Sequence, residues 1–185
     1  MKQLPSGTLT ILFTDIEGST RLLQQLGEGY QQILDIHHQI LRDAIVSHDG
    51  FEVNTEGDSF FAVFPRALDA LGAAVTVQQN MHAYTWPNNI SLRVRMGMHT
   101  GAPTLTGNDY MGLDIHRAAR IASAAHGGQI LLSSSMRELC ENDKRNEIAF
   151  TPSAHCTPKP MRRGAAIGGP AIAAIACDNC AKPVA

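Results

Sequence analysis

The chain has 185 residues, of which 44% are hydrophobic and 17% charged. This length fits one domain with a short appendage, and the composition supports a packed core and excludes disorder over the whole length. Fifteen Lys and Arg against seventeen Asp and Glu leave a formal charge of −2. That balance excludes the basic footprint of a nucleic-acid-binding or polybasic membrane-binding protein.

The N-terminal residues 1–7 lack the apolar core of a secretory signal, and the longest weakly apolar run, residues 164–177, is too short to span a bilayer. The four cysteines all follow residue 139 and do not form a disulfide framework for a domain of this size. We therefore expect a cytoplasmic protein without a membrane partner. Cys177 and Cys180 could form half of a zinc site with His155 and Cys156 as partners, but the second CxxC pair that makes this spacing diagnostic is absent.

The predicted elements alternate along the chain. The first half has a strand over residues 8–14, a long helix from Ser19 or Thr20 to about 45 with a bend or break at Gly27 and Gly29, and a hairpin of strands 51–55 and 59–64. A helix over about 66–83 and a half-buried strand over 90–98 follow. The last elements are a helix over about 113–126, a short strand over 129–132 and a helix through 139. This β-α-β-β-α-β-α-β-α order predicts an α/β (α+β) fold of the ferredoxin-like, split βαβ type. We expect a mainly antiparallel sheet with helices on one face, in a domain over residues 7–142.

Composition changes sharply near residue 150. Residues 151–185 contain nine Ala, five Pro and three Gly and no aromatic residue. Proline interrupts helices and central strands, and the segment has few large apolar side chains. We expect residues 151–185 to form a disordered tail.

Two aspartates, Asp15 and Asp58, lie at the ends of predicted strands, where they could bind a metal ion. Asp15 ends the first strand, and Asp58 lies in the hairpin turn, so the two converge if the hairpin pairs beside that strand. Carboxylate oxygens suit Mg²⁺ or Mn²⁺, although Asp is also common in turns for purely structural reasons. The helix that begins after Asp15 offers amide N–H groups to phosphates; the residues of that turn are Ile16, Glu17, Gly18, Ser19 and Thr20.

A second group of polar residues lies around the third predicted helix. His116 and Arg120 are four residues apart and share a face of the helix, and Asp109 lies in the preceding loop. The guanidinium of arginine suits charge that develops on a phosphoryl group. The alternative is that Arg117 and Arg120 are solvated surface charges, an interpretation that fits Arg117 better than Arg120.

Four motifs in register carry a family resemblance. They are Phe13–Thr20 (FTDIEGST), Glu56–Asp58 (EGD), Arg95–Gly101 (RMGMHTG), and Ala118–Arg120 followed by Gly127–Gln129. In order and spacing, over roughly residues 7–140, they resemble the catalytic domain of class III adenylate/guanylate cyclases.

The resemblance implies a mechanism and a set of roles. Two Mg²⁺ or Mn²⁺ ions would be held by Asp15, Asp58 and the carbonyl of Ile16. The ribose 3′-hydroxyl would attack the α-phosphate of the same nucleotide, with release of pyrophosphate. Arg120 takes the position that stabilises the transition state. The site would be shared between the two chains of a homodimer.

Three departures from the family pattern bear on substrate and activity. Asp109 matches the base-selecting aspartate of adenylate cyclases, but Asn54 stands where lysine is common, and His116 where a ribose-orienting asparagine is common. No C-terminal lysine segment is recognisable. Asn54 and Asp109 can serve either base, and we expect ATP, with GTP as the alternative. The competing hypotheses are a non-catalytic nucleotide-binding or dimerisation module of the same fold and a two-carboxylate phosphohydrolase, which leaves Asp109 and Arg120 unexplained.

Overall fold

The computed structural model describes residues 3–143 and the short segments 150–152 and 174–176. The helices are α1 (Ser19–Leu26), α2 (Tyr30–Ser47), α3 (Ala67–Ala83), α4 (Leu113–Ala124) and α5 (Ser134–Asn142). The strands are β1 (Leu9–Ile16), β2 (Phe51–Glu56), β3 (Ser59–Phe64), β4 (Val94–Gly101), β5 (Thr104–Thr106), β6 (Asp109–Met111), β7 (Ile130–Leu132), β8 (Phe150–Pro152) and β9 (Ala174–Ala176).

Seven strands form one sheet in the order β2-β3-β1-β4-β7-β9-β8. The four long strands β2, β3, β1 and β4 pair antiparallel, and three-residue strands extend the sheet in parallel. β1 lies between β3 and β4, where Leu12 is registered with Ala62 on one side and Met98 on the other. The predicted α+β fold with a mainly antiparallel sheet is confirmed.

The sheet has a core on each of its faces. On one face, side chains of the central strands pack with α2 and α3; they include Leu12, Phe60, Phe64, Met96, Ile33, Leu41, Leu71 and Val77. On the other face, Ala118 of α4 and Tyr110 of β6 pack with residues of β1 and β3, which are Leu9, Ile11, Phe61 and Val63. The expectation that the helices share one face is therefore wrong for α4. Its buried residues are mostly small, and the chain order does not show which side of the sheet the helix crosses.

α4 lies unusually close to the sheet at Gly97. A Cβ built on this glycine would come within 2.0 Å of the backbone nitrogen of Ala122. Gly97 belongs to the RMGMHTG motif, and its lack of a side chain lets the helix backbone contact β4 directly. This contact fixes the helix that carries His116 and Arg120 relative to the strand that carries Arg95.

Most predicted elements are present, with two differences, at the start of β4 and at a small hairpin after it. A 3₁₀ turn over Gly27–Gly29 separates α1 from α2, as the glycines predict. β4 begins at Val94 rather than at residue 90, because a 3₁₀ turn over Pro87–Asn89 and non-strand residues precede it. The small hairpin of β5 and β6 was not predicted; its strands have three residues each, too few for a clear alternation.

Two short strands lie inside the segment predicted to be a disordered tail. β9 pairs with β7, and β8 forms the edge of the sheet beyond β9. Pro152 is compatible with this position because an edge strand has one side without ladder partners. For the rest of residues 151–185 the prediction lies outside the described residues, as do Cys156, Cys177 and Cys180. No helix in the described ranges is long and apolar enough to cross a membrane.

Candidate active site

Asp15 and Asp58 meet at one end of the sheet, as predicted. Asp15 lies near the end of β1, and Asp58 lies in the turn between β2 and β3. The Ile16 amide donates a hydrogen bond of 3.0 Å to Oδ2 of Asp58, and the Ser59 hydroxyl donates one of 3.2 Å to Oδ1 of Asp15. These bonds hold both carboxyls, half-buried, at the same edge.

The two carboxyls are close enough to share a hydrogen bond, and they titrate differently. Burial raises the pKa of Asp58 above its ordinary value, and the hydrogen bond and charge of Asp15 act in the same direction. Burial also acts to raise the pKa of Asp15, but the hydrogen bond from Asp58 and the Arg95 guanidinium outweigh it, so that this pKa is lowered. Asp15 is thus the more readily ionised member of the pair.

Arg95 is a member of this cluster that the sequence reasoning did not assign to the site. It lies directly opposite Asp15 in the β1–β4 register. Its Nε donates to Oδ2 of Asp15 at 2.9 Å, and its Nη2 contacts the same oxygen. The signal was present in the RMGMHTG motif, but the strand register needed to place Arg95 beside Asp15 is a tertiary property.

The donor set at this edge fits a divalent cation. Two carboxylates in mutual contact, one with a lowered pKa, supply the oxygen ligands that Mg²⁺ and Mn²⁺ prefer, and the Ile16 carbonyl belongs to the same turn. In residues 3–143, no group of three or more His, Cys, Asp or Glu side chains converges on one point. Any further ligands at this edge would therefore come from water or from a bound phosphate.

The turn after Asp15 leads into α1, whose first backbone amides are not capped by a side chain. Gly18 precedes the helix with φ 74°, a conformation that favours glycine, and no side chain caps the helix. The first amides, those of Ser19 and Thr20 among them, have no partner within the helix. Glu17 has a different environment: its carboxylate accepts the Gly127 amide at 3.0 Å, which ties the turn to the loop after α4.

A β-bulge places Asn54 on the face of the sheet on which Tyr110, the neighbour of Asp109, also packs. Glu52 is registered with Ala62 and Asn54 with Phe61, so the bulge at Val53 moves Asn54 onto the face that Phe61 occupies. The Phe61 ring lies 6.2 Å, centroid to centroid, from the ring of Tyr110, the neighbour of Asp109. Asn54 and Asp109 are both exposed at this point.

His116 and Arg120 lie on the exposed side of α4. Neither makes a hydrogen bond or ion pair with Asp15 or Asp58 in the described part of the chain. Arg117 pairs instead with Asp114, at 3.0 Å from Nη1 to Oδ1, and is less exposed than Arg120. The predicted site residues therefore lie on different elements: Asp15 and Asp58, called the carboxylate edge below, lie at the end of β1 and in the β2–β3 turn, and the others lie on β2, β6 and α4.

The sequence matches the family model described as the adenylate and guanylate cyclase catalytic domain over residues 1–159. The fold and the matched motifs define the class, and the chain belongs to this family. Among curated relatives, it is 36% identical over 155 residues to an adenylate cyclase of Neurospora crassa, covering 70% of this chain and 7% of that protein. It is 37% identical over 137 residues to an uncharacterized protein of Mycobacterium tuberculosis, covering 73% of this chain and 46% of that protein. The chain thus spans less than half the length of either relative.

Solved structures show the same fold. An adenylate cyclase of Trypanosoma brucei, solved in its monomeric state, superposes with a TM-score of 0.68 at 26% identity, covering 74% of this chain and 76% of that one. An adenylate/guanylate cyclase/hydrolase of Silicibacter pomeroyi superposes with a TM-score of 0.68, also at 26% identity, covering 80% and 86% of the two chains.

Proposed function

We propose that this chain is a nucleotidyl cyclase that converts ATP to 3′,5′-cyclic AMP and pyrophosphate in a homodimer with shared active sites. The observation that carries the proposal is the convergence of Asp15 and Asp58 beside the uncapped start of α1. This edge combines oxygen ligands for a cation with amide donors for a phosphate chain. The curated relative from Neurospora crassa is named adenylate cyclase, which favours ATP.

The carboxylate edge would bind the phosphate end of the nucleotide. Asp15, Asp58 and the Ile16 carbonyl would hold two Mg²⁺ or Mn²⁺ ions, which when bound neutralise phosphate charge and lower the pKa of a coordinated hydroxyl. The backbone amides of residues 18–20 would donate to phosphate oxygens. Arg95 already neutralises Asp15, so nucleotide binding would require this guanidinium to release or share a carboxylate oxygen.

The second surface would hold the nucleoside. The amide of Asn54 would donate to the base and Asp109 would accept from the exocyclic amine of adenine, while His116 would orient the ribose. In the reaction, the 3′-oxygen forms a bond to the α-phosphorus, the bond to the bridging oxygen of pyrophosphate breaks, and the hydroxyl proton is released. The Arg120 guanidinium would stabilise the charge on the α-phosphoryl oxygens as this bond breaks.

The separation of the two surfaces within one chain supports a dimeric site. Within the described residues of one chain, Arg120 and His116 make no hydrogen bond or ion pair with Asp15 or Asp58, and both are exposed. Met111 and Leu113, beside Asp109 and His116, are 61% and 73% exposed. Exposed large apolar side chains next to functional groups are typical of an interface, so we place the partner chain against this surface.

The test is a product assay with purified protein, Mn²⁺ and either ATP or GTP, with chromatography that separates cyclic nucleotides from linear mono- and diphosphates. The expected product is 3′,5′-cyclic AMP, with a slower reaction of GTP. A nucleotide that binds without turnover would favour the non-catalytic module instead. Release of a linear nucleotide would favour a phosphohydrolase.

A further inference from the structure

A buried histidine links the sheet to the first turn of α4. His99, on β4, is 6% exposed. Its Nε2 lies 3.1 Å from Oδ1 of Asp114 on α4, and its Nδ1 lies 2.9 Å from the hydroxyl of Ser133. The ring therefore joins three elements: β4, α4 and the start of α5.

The partners of the ring constrain its hydrogen bonds. A carboxylate only accepts, so Nε2–H donates to Asp114. In the neutral tautomer that carries this proton, Nδ1 accepts the hydroxyl proton of Ser133. The Ser133 oxygen in turn accepts the Met136 amide at 3.3 Å as the N-cap of α5. Each polar atom of His99 and Ser133 has a partner, which makes the network rigid.

Asp114 is the side chain that ties down the start of α4. Besides His99, it accepts the Ala102 amide at 2.9 Å and pairs with Arg117. Its burial raises the pKa, but these donors outweigh burial and keep the pKa below its ordinary value. Gly112 before the helix provides no side-chain cap, and Leu113 is exposed, so Asp114 supplies the polar anchoring of this first turn.

The functional residues of α4 follow this anchor closely. His116 is two residues beyond Asp114, and Arg120 is one turn further. The apolar contacts of the helix with the sheet are made by Ile115, Ala118, Ile121 and Ala122. A shift of the first turn would therefore displace His116 first and Arg120 with it.

We propose that His99 is a positioning residue that acts through Asp114 to hold the His116–Arg120 surface of α4 in register for catalysis. This inference rests on the proposed function, in which α4 completes the site of the partner chain. It assigns His99 and Asp114 to the α4 half of the shared site and not to the carboxylate half. Because displacements near 1 Å cost rates of about a hundredfold, the loss should fall mainly on kcat.

The first measurement does not depend on activity. Hydrogen–deuterium exchange is followed for peptides covering residues 112–120 in the wild-type chain, His99→Gln, the milder Asp114→Asn and a matched control, His48→Gln. His48 makes a similar histidine–hydroxyl bond of 3.0 Å with Thr76, on the opposite side of the sheet. We expect faster exchange in both α4 variants and wild-type exchange in the control. Unchanged exchange in His99→Gln and Asp114→Asn overturns the proposal.

The second measurement assigns the variants to one half of the site. Chains with two different tags are co-expressed and heterodimers are purified through both tags. We expect His99→Gln to recover activity when paired with Asp15→Asn, since one site then has an intact carboxylate edge and an intact α4. Paired with Arg120→Ala, it should not recover. Recovery with both testers, or only with Arg120→Ala, overturns the proposal.

A control pair separates this inference from the proposed function. Asp15→Asn with Arg120→Ala must itself recover activity if the site is shared. If that pair forms heterodimers but stays inactive, the shared-site function fails, while the exchange measurement still decides whether His99 positions α4.

Discussion

Asp15 and Asp58 act as a pair because each alters the other's charge state and both are held by short polar contacts. The Ile16 amide and the Ser59 hydroxyl orient the oxygens before any ligand arrives. Arg95 neutralises Asp15 in the same cluster. Under the proposed function, this preorganisation would let two carboxylates hold the metal ions, because the substrate would supply the remaining oxygen ligands.

At the residue scale, Asp15→Asn and Asp58→Asn should each lower cyclase activity by several orders of magnitude while the fold stays intact. An amide keeps an oxygen for the Ile16 or Ser59 donor but loses the negative charge that a cation needs. Activity is measured with Mn²⁺ and ATP, and folding by thermal unfolding. Asp43→Asn, an exposed carboxylate bonded to Gln39 on α2, is the matched control. Near wild-type activity in either site variant would contradict the proposal that Asp15 and Asp58 hold the metal ions.

Asn54 provides the second prediction at the residue scale. A neutral amide discriminates less between bases than an ammonium, which only donates. Asn54→Lys should raise ATP turnover, by up to roughly a hundredfold, because a mismatched hydrogen bond at a base edge costs about 1–3 kcal/mol. Steady-state rates with ATP and GTP are compared with those of Asn80→Lys, which adds the same charge on the exposed side of α3. Lower ATP turnover in Asn54→Lys, or a shift of preference toward GTP, would contradict the hypothesis that Asn54 contacts the base.

At the scale of elements, α2 carries two histidines beneath the carboxylate edge. His38 Nε2 donates to the Gly57 carbonyl at 2.9 Å and so supports the turn that holds Asp58. His37 is fully buried against Phe60, and neither of its nitrogens has a partner among the described residues. Burial, with a smaller effect of His38, lowers the pKa of His37 to about 3.

His37 should make the domain sensitive to acid. Its unfolded-state pKa of 6.5 exceeds the folded value, so the unfolded chain binds the proton first and stability falls as pH drops below about 6.5, down to about 3. Between pH 7 and pH 4 the histidine should account for about 2–3 kcal/mol of the loss in unfolding free energy. His37→Leu should remove that part of the loss in urea titrations, whereas the exposed His82→Gln should not. Equal acid sensitivity in wild type and His37→Leu would contradict this account.

The sequence predicted the elements better than their placement. The convergence of Asp15 and Asp58 could be predicted because the end of β1 and the hairpin turn are both recognisable from local sequence patterns. Arg95 opposite Asp15, the bulge that turns Asn54 toward Phe61, and the position of α4 on the second face depend on register and packing between distant segments. Such contacts leave no periodic signal in one sequence. The hydrogen bond between His99 and Asp114 could not be predicted for the same reason, because its partners are 15 residues apart and lie on different elements.

At the scale of the whole molecule, Asp15 and Asp58 lie at one end of the central strands, whereas His116 and Arg120 lie on the exposed side of α4. Under the proposed function, these two surfaces of one chain serve different active sites. A second copy of the chain would bring each surface opposite its complement. On this account a monomer holds every residue it needs and remains inactive.

The most direct test of this account is the activity of a purified heterodimer of Asp15→Asn and Arg120→Ala chains. Each variant alone should be inactive with Mn²⁺ and ATP. In the heterodimer, one site combines an intact Asp15 and Asp58 with an intact Arg120, so formation of 3′,5′-cyclic AMP should return to about half the wild-type rate, since one of two sites is complete. A heterodimer that forms stably and produces no cyclic AMP, while the wild-type chain does, would contradict the shared active site.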